Sequence, residues 1–376
     1  MADNDALDIV NTALECKTPP RVPTFCLGAD WDFMERFIAE VGVTYDEFKQ
    51  FKKDRIPLIC PTHIGLSIKM GVDLAWMTFM GQIIWLDEYS EPAQMHGGRF
   101  KIVTRESTYK LPEGKEKHPI PHWWYFKEGL RTKEAIKDYM NLNIRYSKGE
   151  FKRYRKLHEL CLQKYNLVIS GGLTGPWENL HFGIGFANIA KLWRKDRKFL
   201  HEINDFYSEF ALKGMEDLLK YGKPPVVMVG DDYGYNSGLQ MSMEMWRELV
   251  KPTLAKHVRM SHEAGAKFML HSCGNIGALF KEFVEIGIDG VESLKPWSND
   301  LVSLKQKYGK DIALVGTIDD SNMLIESTPA QVKQSVTQSI NDLGAGGYIP
   351  GATNFLLDQP VANIYAMLEA IRDYKI

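Results

Sequence analysis

The sequence lacks the cysteine pattern of a disulfide-stapled or zinc-ribbon protein. It has only five cysteines in 376 residues, and no CxxC pair occurs. An odd number of scattered cysteines favours a reducing compartment. The N-terminal segment MADNDALDIV is acidic and has no apolar signal core. These absences predict a cytoplasmic protein.

Concentrated positive charge and long apolar runs are also missing. The net charge is −2 and no block of Lys or Arg occurs, so we expect no nucleic-acid partner. The longest near-apolar run, residues 74–86, is shorter than the roughly 20 residues that cross a bilayer, so we expect no membrane association. A GxSxG nucleophile elbow and a GxGxxG dinucleotide fingerprint are absent as well.

What is present is an alternation of short apolar strands and amphipathic helices, which predicts a parallel sheet with right-handed crossovers. Eight strand candidates can be placed and one more is left unplaced, which is about the number in a closed (β/α)8 TIM barrel; an open doubly wound sheet is the alternative. We therefore predict one barrel domain over residues 1–376. The predicted strands are 22–28, 57–63, 167–172, 226–232, 267–271, 288–294, 312–317 and 346–351.

Local signals place several helix boundaries. Thr328 is predicted as an N-cap, with Pro329 at the first helical position and Gln331 completing a capping box. A helix starting near Ser242 should be kinked at Pro252. Gly265 is the expected cap beyond its end.

Residues 88–130 interrupt the strand–helix pattern. The segment GGRFKIVTRESTYKL alternates like a hairpin strand, whereas LPEGKEKHPIPHWWYF is irregular and aromatic. We interpret residues 88–130 as an insertion over one end of the barrel. An ordinary surface insertion is an equally good interpretation.

The stretch KFMLHSCGNIG carries the most specific chemistry. Side chains two apart on a strand face the same side, so His271 and Cys273 should face one space at the carboxyl end of a barrel strand. An imidazole and a thiolate directed at one point suit zinc. The alternatives are a core histidine beside an inert thiol and, less favoured, a Cys–His catalytic pair.

Further ligands must be carboxylates or lie upstream, because no His or Cys follows Cys273. Glu292 lies near the end of the next predicted strand. Asp231 and Asp232 end the preceding strand, where a turn or capping role is the alternative. Glu178 also follows a strand-like run, but turn chemistry explains that segment equally well.

From about residue 165 to the C-terminus, the sequence resembles the uroporphyrinogen decarboxylase superfamily. The resemblance is carried by GDDYGYNSGLQMSMEMWRELVKP, GAKFMLHSCGNIGALFKEFVEIGIDGVESLKP, LVGTID and GAGGYIPGATNFLLDQPVANIYAMLEAI. It implies a (β/α)8 barrel. The Arg-rich N-terminal signature of the tetrapyrrole decarboxylases is absent, since the corresponding region reads RVPTFCLGADWDFMERF.

The resemblance points instead to the branch of zinc-dependent methyltransferases that work with a corrinoid. In that branch the HxC pair, here His271 and Cys273, binds the metal, with a further Cys or His in the last loop. That loop reads IPGATNFLLD here, and Asn354 stands where the ligand is expected. Glu292 or Asp232 would complete the metal site. Corrinoid-contacting positions are expected at Gly274, Asn275 and Asn354.

The implied reaction moves a methyl group from a small methoxylated donor, expected to be an aryl methyl ether, to the cobalt of cobalamin on a separate corrinoid protein. Asp231, Asp232 and Tyr233 are the expected catalytic residues. Several aromatic residues could hold a flat ring, although packing is their commoner role. They are Trp123, Trp124, Tyr125, Phe126, Trp177 and Phe182.

Two other functions remain open from the sequence. A metal-independent decarboxylase would need a cationic pocket, for which Arg99, Arg105 and Lys295 are the candidates. A non-catalytic barrel that binds a corrinoid or its carrier would fit the lack of a further metal-binding cysteine in the last loop.

Overall fold

The structure is a computed structural model that describes residues 5–56, 63–79, 93–95, 98–111, 114–128, 130–141 and 146–376. Barrel strands are Phe25–Cys26, Leu74–Phe79, Val168–Thr174, Val226–Gly230, Lys267–His271, Gly290–Glu292, Ala313–Val315 and Tyr348–Ile349. The α-helices are Ala6–Leu14, Trp31–Val41, Tyr45–Asp54, Ile64–Met70, Lys133–Met140, Lys148–Tyr165, Pro176–Ile184, Phe186–Lys195, Arg197–Asp217, Met243–Leu249, Lys251–Glu263, Phe280–Ile286, Leu301–Tyr308, Met323–Glu326, Pro329–Leu343 and Val361–Asp373.

Eight parallel strands form one sheet in which each strand pairs with its neighbours in chain order. The sheet closes on itself, because Phe25 in the first strand bridges Gly351 just after the eighth. The Phe25 amide donates to the Pro350 carbonyl oxygen at 3.2 Å. The predicted (β/α)8 barrel is confirmed, and the open sheet is excluded by this closure.

The strand that the sequence left unplaced is Leu74–Phe79, the second strand of the barrel. It lies inside the apolar run 74–86. The predicted strand 57–63 falls at residues 57–62 outside the described residues, and His63 is the N-cap of the helix Ile64–Met70. The remaining predicted strands are present, with Asp231 and Asp232 directly beyond the end of the fourth.

The predicted helix signals are also found. Thr328 and Gln331 form the capping box of the helix Pro329–Leu343. The helix Met243–Leu249 ends at Val250, and a new helix runs from Lys251 to Glu263 with Pro252 in its first turn. The break therefore lies at Val250, two residues before Pro252. Pro252 costs the second helix little stability, because a proline in the first turn removes no hydrogen bond within the helix.

The segment 88–130 contains a long antiparallel pair of strands, Gly98–Leu111 and Gly114–Glu128. The second segment was predicted to be irregular, and that prediction is wrong. The sequence of this segment has no alternating pattern that indicates a strand, but its backbone pairs with the preceding strand. In the backbone, both strands lie against the helix Pro176–Ile184.

The N-terminal helix Ala6–Leu14 closes the amino end of the barrel. Its apolar face joins the inward-facing side chains of the strands in one buried cluster. A Cβ atom at Gly290 would lie 2.8 Å from the Leu14 side chain, so the glycine makes room for the helix. The polar residues at the carboxyl ends of the strands therefore occupy the opposite end. Among the described helices, none has the length and apolar character to cross a membrane.

Candidate metal centre at the barrel mouth

His271 and Cys273 lie together at the carboxyl end of the fifth strand, as the sequence predicts. The strand ends at His271, and the Cys273 Sγ lies 3.7 Å from the His271 Nε2. The His271 side chain is 12% exposed. Both groups therefore face the mouth rather than the packed layers beneath it.

Asp232 approaches the same point from the fourth strand. Its Oδ1 lies 3.6 Å from the His271 Nε2 and accepts a hydrogen bond from the Cys273 amide at 2.7 Å. One ligand atom from each of the three residues lies within 4.8 Å of the others. Nitrogen, sulfur and oxygen donors at this spacing suit zinc, and three protein ligands with a free position are the pattern of catalytic sites. The residues therefore fit the metal that the sequence predicts.

Glu292 lies on the opposite edge of the same imidazole. Its carboxylate is fully buried and hydrogen-bonds the His271 Nδ1. Glu292 is thus separated from the Nε2 side, where Asp232 and Cys273 lie, and orients the ring as outer carboxylates do at zinc sites.

The electrostatics of the cluster reflect burial and close charges. Burial opposes charging of His271, but attraction to Glu292 and Cys273 outweighs it and holds the pKa of the imidazole well above its usual value. Burial raises the pKa of Glu292 and of the Cys273 thiol, and the Asp232 charge adds to the rise at Cys273. A bound cation would reverse this tendency of the thiol to stay protonated.

Asp231 points away from the metal cluster and into the protein. Its carboxylate accepts hydrogen bonds from the Glu178 amide at 2.7 Å, the Trp177 amide at 3.4 Å and the Tyr233 hydroxyl at 2.9 Å. It therefore caps the helix that starts at Pro176. Burial raises the pKa of Asp231 to about 7 despite these bonds.

Tyr233 supports Asp231 from inside the fold. The residue is fully buried, and its ring packs against Trp246 and Phe283. Its amide donates to the Ser272 Oγ at 2.9 Å. These contacts link the loops that follow the fourth and fifth strands.

Glu178 lies in the first turn of the capped helix, on the side of the acidic pair. Burial and then the charges of Asp232 and Asp231 raise the pKa of its carboxyl well above the usual value. The sequence also allowed a turn role for Glu178. The Glu178 backbone agrees with that role, because its amide donates a hydrogen bond to the Asp231 carboxylate.

The glycine after Cys273 lets two loops pass in contact. Gly274 has a φ of +85°, and a Cβ atom there would lie 2.3 Å from the carbonyl carbon of Gly234. The Asn275 amide donates to the Tyr235 carbonyl at 2.7 Å. Asn299 holds the same loop by donating to the Gly274 carbonyl at 2.9 Å. The Cys273 loop is therefore fixed by its neighbours.

Asn354 lies beside the thiol, at the place where the resemblance implies a ligand. Its Nδ2 is 3.9 Å from the Cys273 Sγ, and its Oδ1 accepts from the Phe355 amide. Ser293 approaches the same sulfur to 3.3 Å in a left-handed backbone conformation with φ +74°. Two neutral polar side chains thus border the sulfur on the side away from Asp232.

Trp76 is a site residue that the sequence did not single out. Its indole is stacked on the His271 imidazole, with ring centroids 5.6 Å apart and planes 17° from parallel. The apolar run 74–86 was visible in the sequence, but nothing in it marked which side chain would face the histidine.

The other predicted aromatic and cationic residues have different surroundings. Trp177 is 1% exposed and is a packing residue that donates to Gln240. Lys295 pairs with Asp320 at 3.2 Å, so its charge is neutralised. Phe182 is half-buried, and its ring centroid lies 4.5 Å from that of His181. The other six side chains lie outside the described part of the structure: Arg99, Arg105, Trp123, Trp124, Tyr125 and Phe126.

Comparison with known sequences gives one family and two methyltransferases. The family described as Uroporphyrinogen decarboxylase (URO-D) matches residues 124–374. A methylated-thiol–coenzyme M methyltransferase of Methanosarcina mazei is 24% identical over 206 residues, which cover 54% of this chain and 53% of the relative. The methylcobamide:CoM methyltransferase MtaA of Methanosarcina barkeri is 24% identical over 213 residues, covering 56% and 59%.

The chain therefore spans little more than half the length of these curated relatives. Among solved structures, a methyltransferase from Methanosarcina mazei superposes over 98% of both chains, with a TM-score of 0.63 and 15% identity. At this identity the likeness concerns the fold alone.

Proposed function

The chain belongs to the uroporphyrinogen decarboxylase family, and from this premise we propose that it is a corrinoid-dependent methyltransferase with a metal at the barrel mouth. The predicted family is confirmed by the match over residues 124–374. The observation that carries the proposal is the convergence of Asp232, His271 and Cys273 within 4.8 Å. The two methyltransferase relatives support the reaction class.

Asp232, His271 and Cys273 are the proposed zinc ligands. His271 would bind through Nε2, because Glu292 occupies its Nδ1. Glu292 remains the alternative ligand that the sequence suggested; it would have to leave this hydrogen bond to reach the metal. Bound zinc supplies a Lewis acid that stabilises negative charge developing on a leaving oxygen.

The proposed donor is a small aryl methyl ether. In the transfer, the bond between the methyl carbon and the ether oxygen breaks and a carbon–cobalt bond forms on cob(I)alamin. The electron pair of the broken bond stays on the phenolate oxygen, which takes a proton from water after release. A carboxylate ligand such as Asp232 is harder than a thiolate and favours oxygen over sulfur as the group activated at the site.

The remaining site residues have supporting roles in this proposal. Asp231 and Tyr233 hold the first turn of the helix Pro176–Ile184 against the loop that carries Asp232. The methyl acceptor is proposed to approach the loops beside the Cys273 sulfur, which carry Gly274, Asn275 and Asn354. We propose a separate corrinoid protein as the carrier of that acceptor.

A donor screen tests the proposal. Zinc-loaded protein is mixed with cob(I)alamin and a panel of methoxyarenes, methylthiols and methylamines, and methylcobalamin is followed by its absorbance. We expect methylcobalamin from a methoxyarene, and its loss with Cys273→Ala. Cys16→Ser, a half-buried cysteine outside the site, is the matched control and should retain the activity.

A non-catalytic corrinoid-binding barrel is the second candidate, favoured by Asn354 in place of the further Cys or His that the family resemblance implies as a metal ligand. It predicts that the protein binds cobalamin with no methyl transfer from any donor in the screen. Carbon dioxide released from a carboxylated substrate without zinc would instead support a decarboxylase.

A further inference from the structure

We infer that Trp76 is a positioning residue for the metal centre, because its indole fixes the plane of the His271 imidazole. The inference rests on the proposed function, since it concerns the way in which one proposed ligand is presented. Within the described structure, Trp76 makes no hydrogen bond to the Asp232 carboxylate or to the Cys273 sulfur. Its effect would be transmitted through the histidine ring.

The indole reaches its partner across two intervening strands. Trp76 starts on the second strand, and His271 ends the fifth. At this level the third and fourth strands carry Gly172 and Gly230. A Cβ atom at Gly172 would lie 2.1 Å from the indole Nε1, and one at Gly230 would lie 3.5 Å from Cη2. The first glycine therefore leaves the space that the indole occupies.

The ring plane of a histidine ligand needs such a restraint. Rotation about the bond that joins an imidazole to its Cβ is soft, because this torsion has broad energy wells. The hydrogen bond between the His271 Nδ1 and the Glu292 carboxylate fixes one edge of the imidazole, but the ring can still tilt about this hydrogen bond. A flat aromatic surface with its plane 17° from that of the imidazole opposes the tilt.

The surroundings of Trp76 show that its shape matters more than its hydrogen bonding. The residue is 7% exposed, and its buried Nε1 has no hydrogen-bond partner among the described residues. Burying an N–H group without a hydrogen bond is unfavourable. Its backbone is held as well, because the His63 Nε2 bonds the Trp76 carbonyl oxygen at 3.0 Å. The large flat ring is therefore kept here at a cost in stability.

Two substitutions separate a flat ring from simple filling of volume. Trp76→Phe keeps an aromatic face, whereas Trp76→Met fills the space with a flexible chain. Zinc affinity is measured by competition with a chromophoric chelator. We expect about a tenfold or larger loss for Trp76→Met, the size typical of lost outer contacts at metal sites, and partial retention for Trp76→Phe.

A second readout needs no metal. In metal-free protein, the proton shared by the His271 Nδ1 and Glu292 should give a downfield NMR resonance, assigned by its loss in Glu292→Gln. We expect this resonance to survive in Trp76→Phe and to broaden or vanish in Trp76→Met. If the wild-type protein takes up no zinc, the proposed function fails, while this resonance still decides the role of Trp76.

A control variant accounts for the loss of a buried aromatic ring. Phe151→Leu removes a fully buried ring from the helix Lys148–Tyr165, outside the barrel interior. It should lower the melting temperature and leave both readouts unchanged. The inference is overturned if folded Trp76→Met keeps the wild-type resonance, or if it binds zinc as tightly as the wild type does.

Discussion

Glu292 hydrogen-bonds the Nδ1 of His271 and thereby leaves the Nε2 of the same ring facing Asp232 and Cys273. The histidine thus joins a fully buried carboxylate below it to a partly open group of donors at the mouth. The metal is therefore expected on the Nε2 side of the ring. The sequence had grouped Glu292 and Asp232 as candidate ligands, whereas the structure gives Glu292 the role of orienting the imidazole.

The role of Glu292 can be tested by Glu292→Gln, which keeps the size of the side chain but removes its charge. If Glu292 acts through His271, zinc affinity should fall by about 10–100-fold while the sulfur and nitrogen ligands stay in place. The measurement is chelator competition together with zinc X-ray absorption. Glu285→Gln, which loses a surface carboxylate bonded to Lys251, is the control. A changed set of ligand atoms at the metal would instead make Glu292 a ligand.

The titration of Asp231 should give the stability of the metal-free protein a defined pH dependence. Burial raises its pKa to about 7 in the folded state, against about 3.9 for an unperturbed aspartate. Between these two pH values the folded state therefore binds more protons than the unfolded state does. The contribution of the protonated Asp231 to the free energy of unfolding is present at low pH and is lost as the pH rises through 7. Each unit of pKa difference corresponds to about 1.4 kcal/mol.

Asp231→Asn removes this titration. Chemical denaturation from pH 4 to pH 8 should show the unfolding free energy of the wild type falling more steeply than that of the variant. Relative to the variant, the wild type should be most stable near pH 4 and should lose this advantage as the pH rises towards 8. Equal slopes for the two proteins would show that Asp231 does not titrate in this range.

Tyr233→Phe isolates the single hydrogen bond from the hydroxyl to Asp231. Because the partner is a buried carboxylate, we expect a loss of about 1.5–3 kcal/mol in the free energy of unfolding. The measurement is denaturant unfolding, with zinc affinity followed in parallel. Tyr233 is fully buried, so zinc affinity should change little. A loss of methyl transfer at unchanged stability would favour direct contact with substrate instead.

Asn354→Cys tests the position where the resemblance implies a further ligand. The Asn354 amide is 3.9 Å from the Cys273 sulfur, so a thiol introduced here should reach the same centre. Zinc X-ray absorption should then show two sulfur ligands instead of one, with tighter binding. Asn354→Ser, which introduces no thiol, is the control. A single sulfur in the cysteine variant would place the loop too far from the metal.

The sequence predicted most of the barrel because its signals are local. Strand periodicity and the Thr328–Gln331 capping box depend on neighbouring residues, and the structure contains them. The two-residue spacing of His271 and Cys273 likewise brought both to one face. The second strand was left unplaced because its apolar run has no alternation that would mark a boundary.

The relationships between distant strands could not be predicted in the same way. Trp76, Gly172, Gly230 and His271 meet only because of the register of four strands, and no local pattern encodes that register. The different orientations of Asp231 and Asp232 have a similar origin. Adjacent residues beyond a strand end take directions that depend on the helix and loops packed around them.

The most direct test of the central claim is zinc X-ray absorption on the purified wild-type protein after zinc loading. We predict one zinc per chain, with a single sulfur ligand at about 2.3 Å and nitrogen or oxygen ligands at about 2.0–2.2 Å. The sulfur should disappear in Cys273→Ala. A chain that binds no zinc, or a zinc ion whose sulfur ligand survives that substitution, would contradict it.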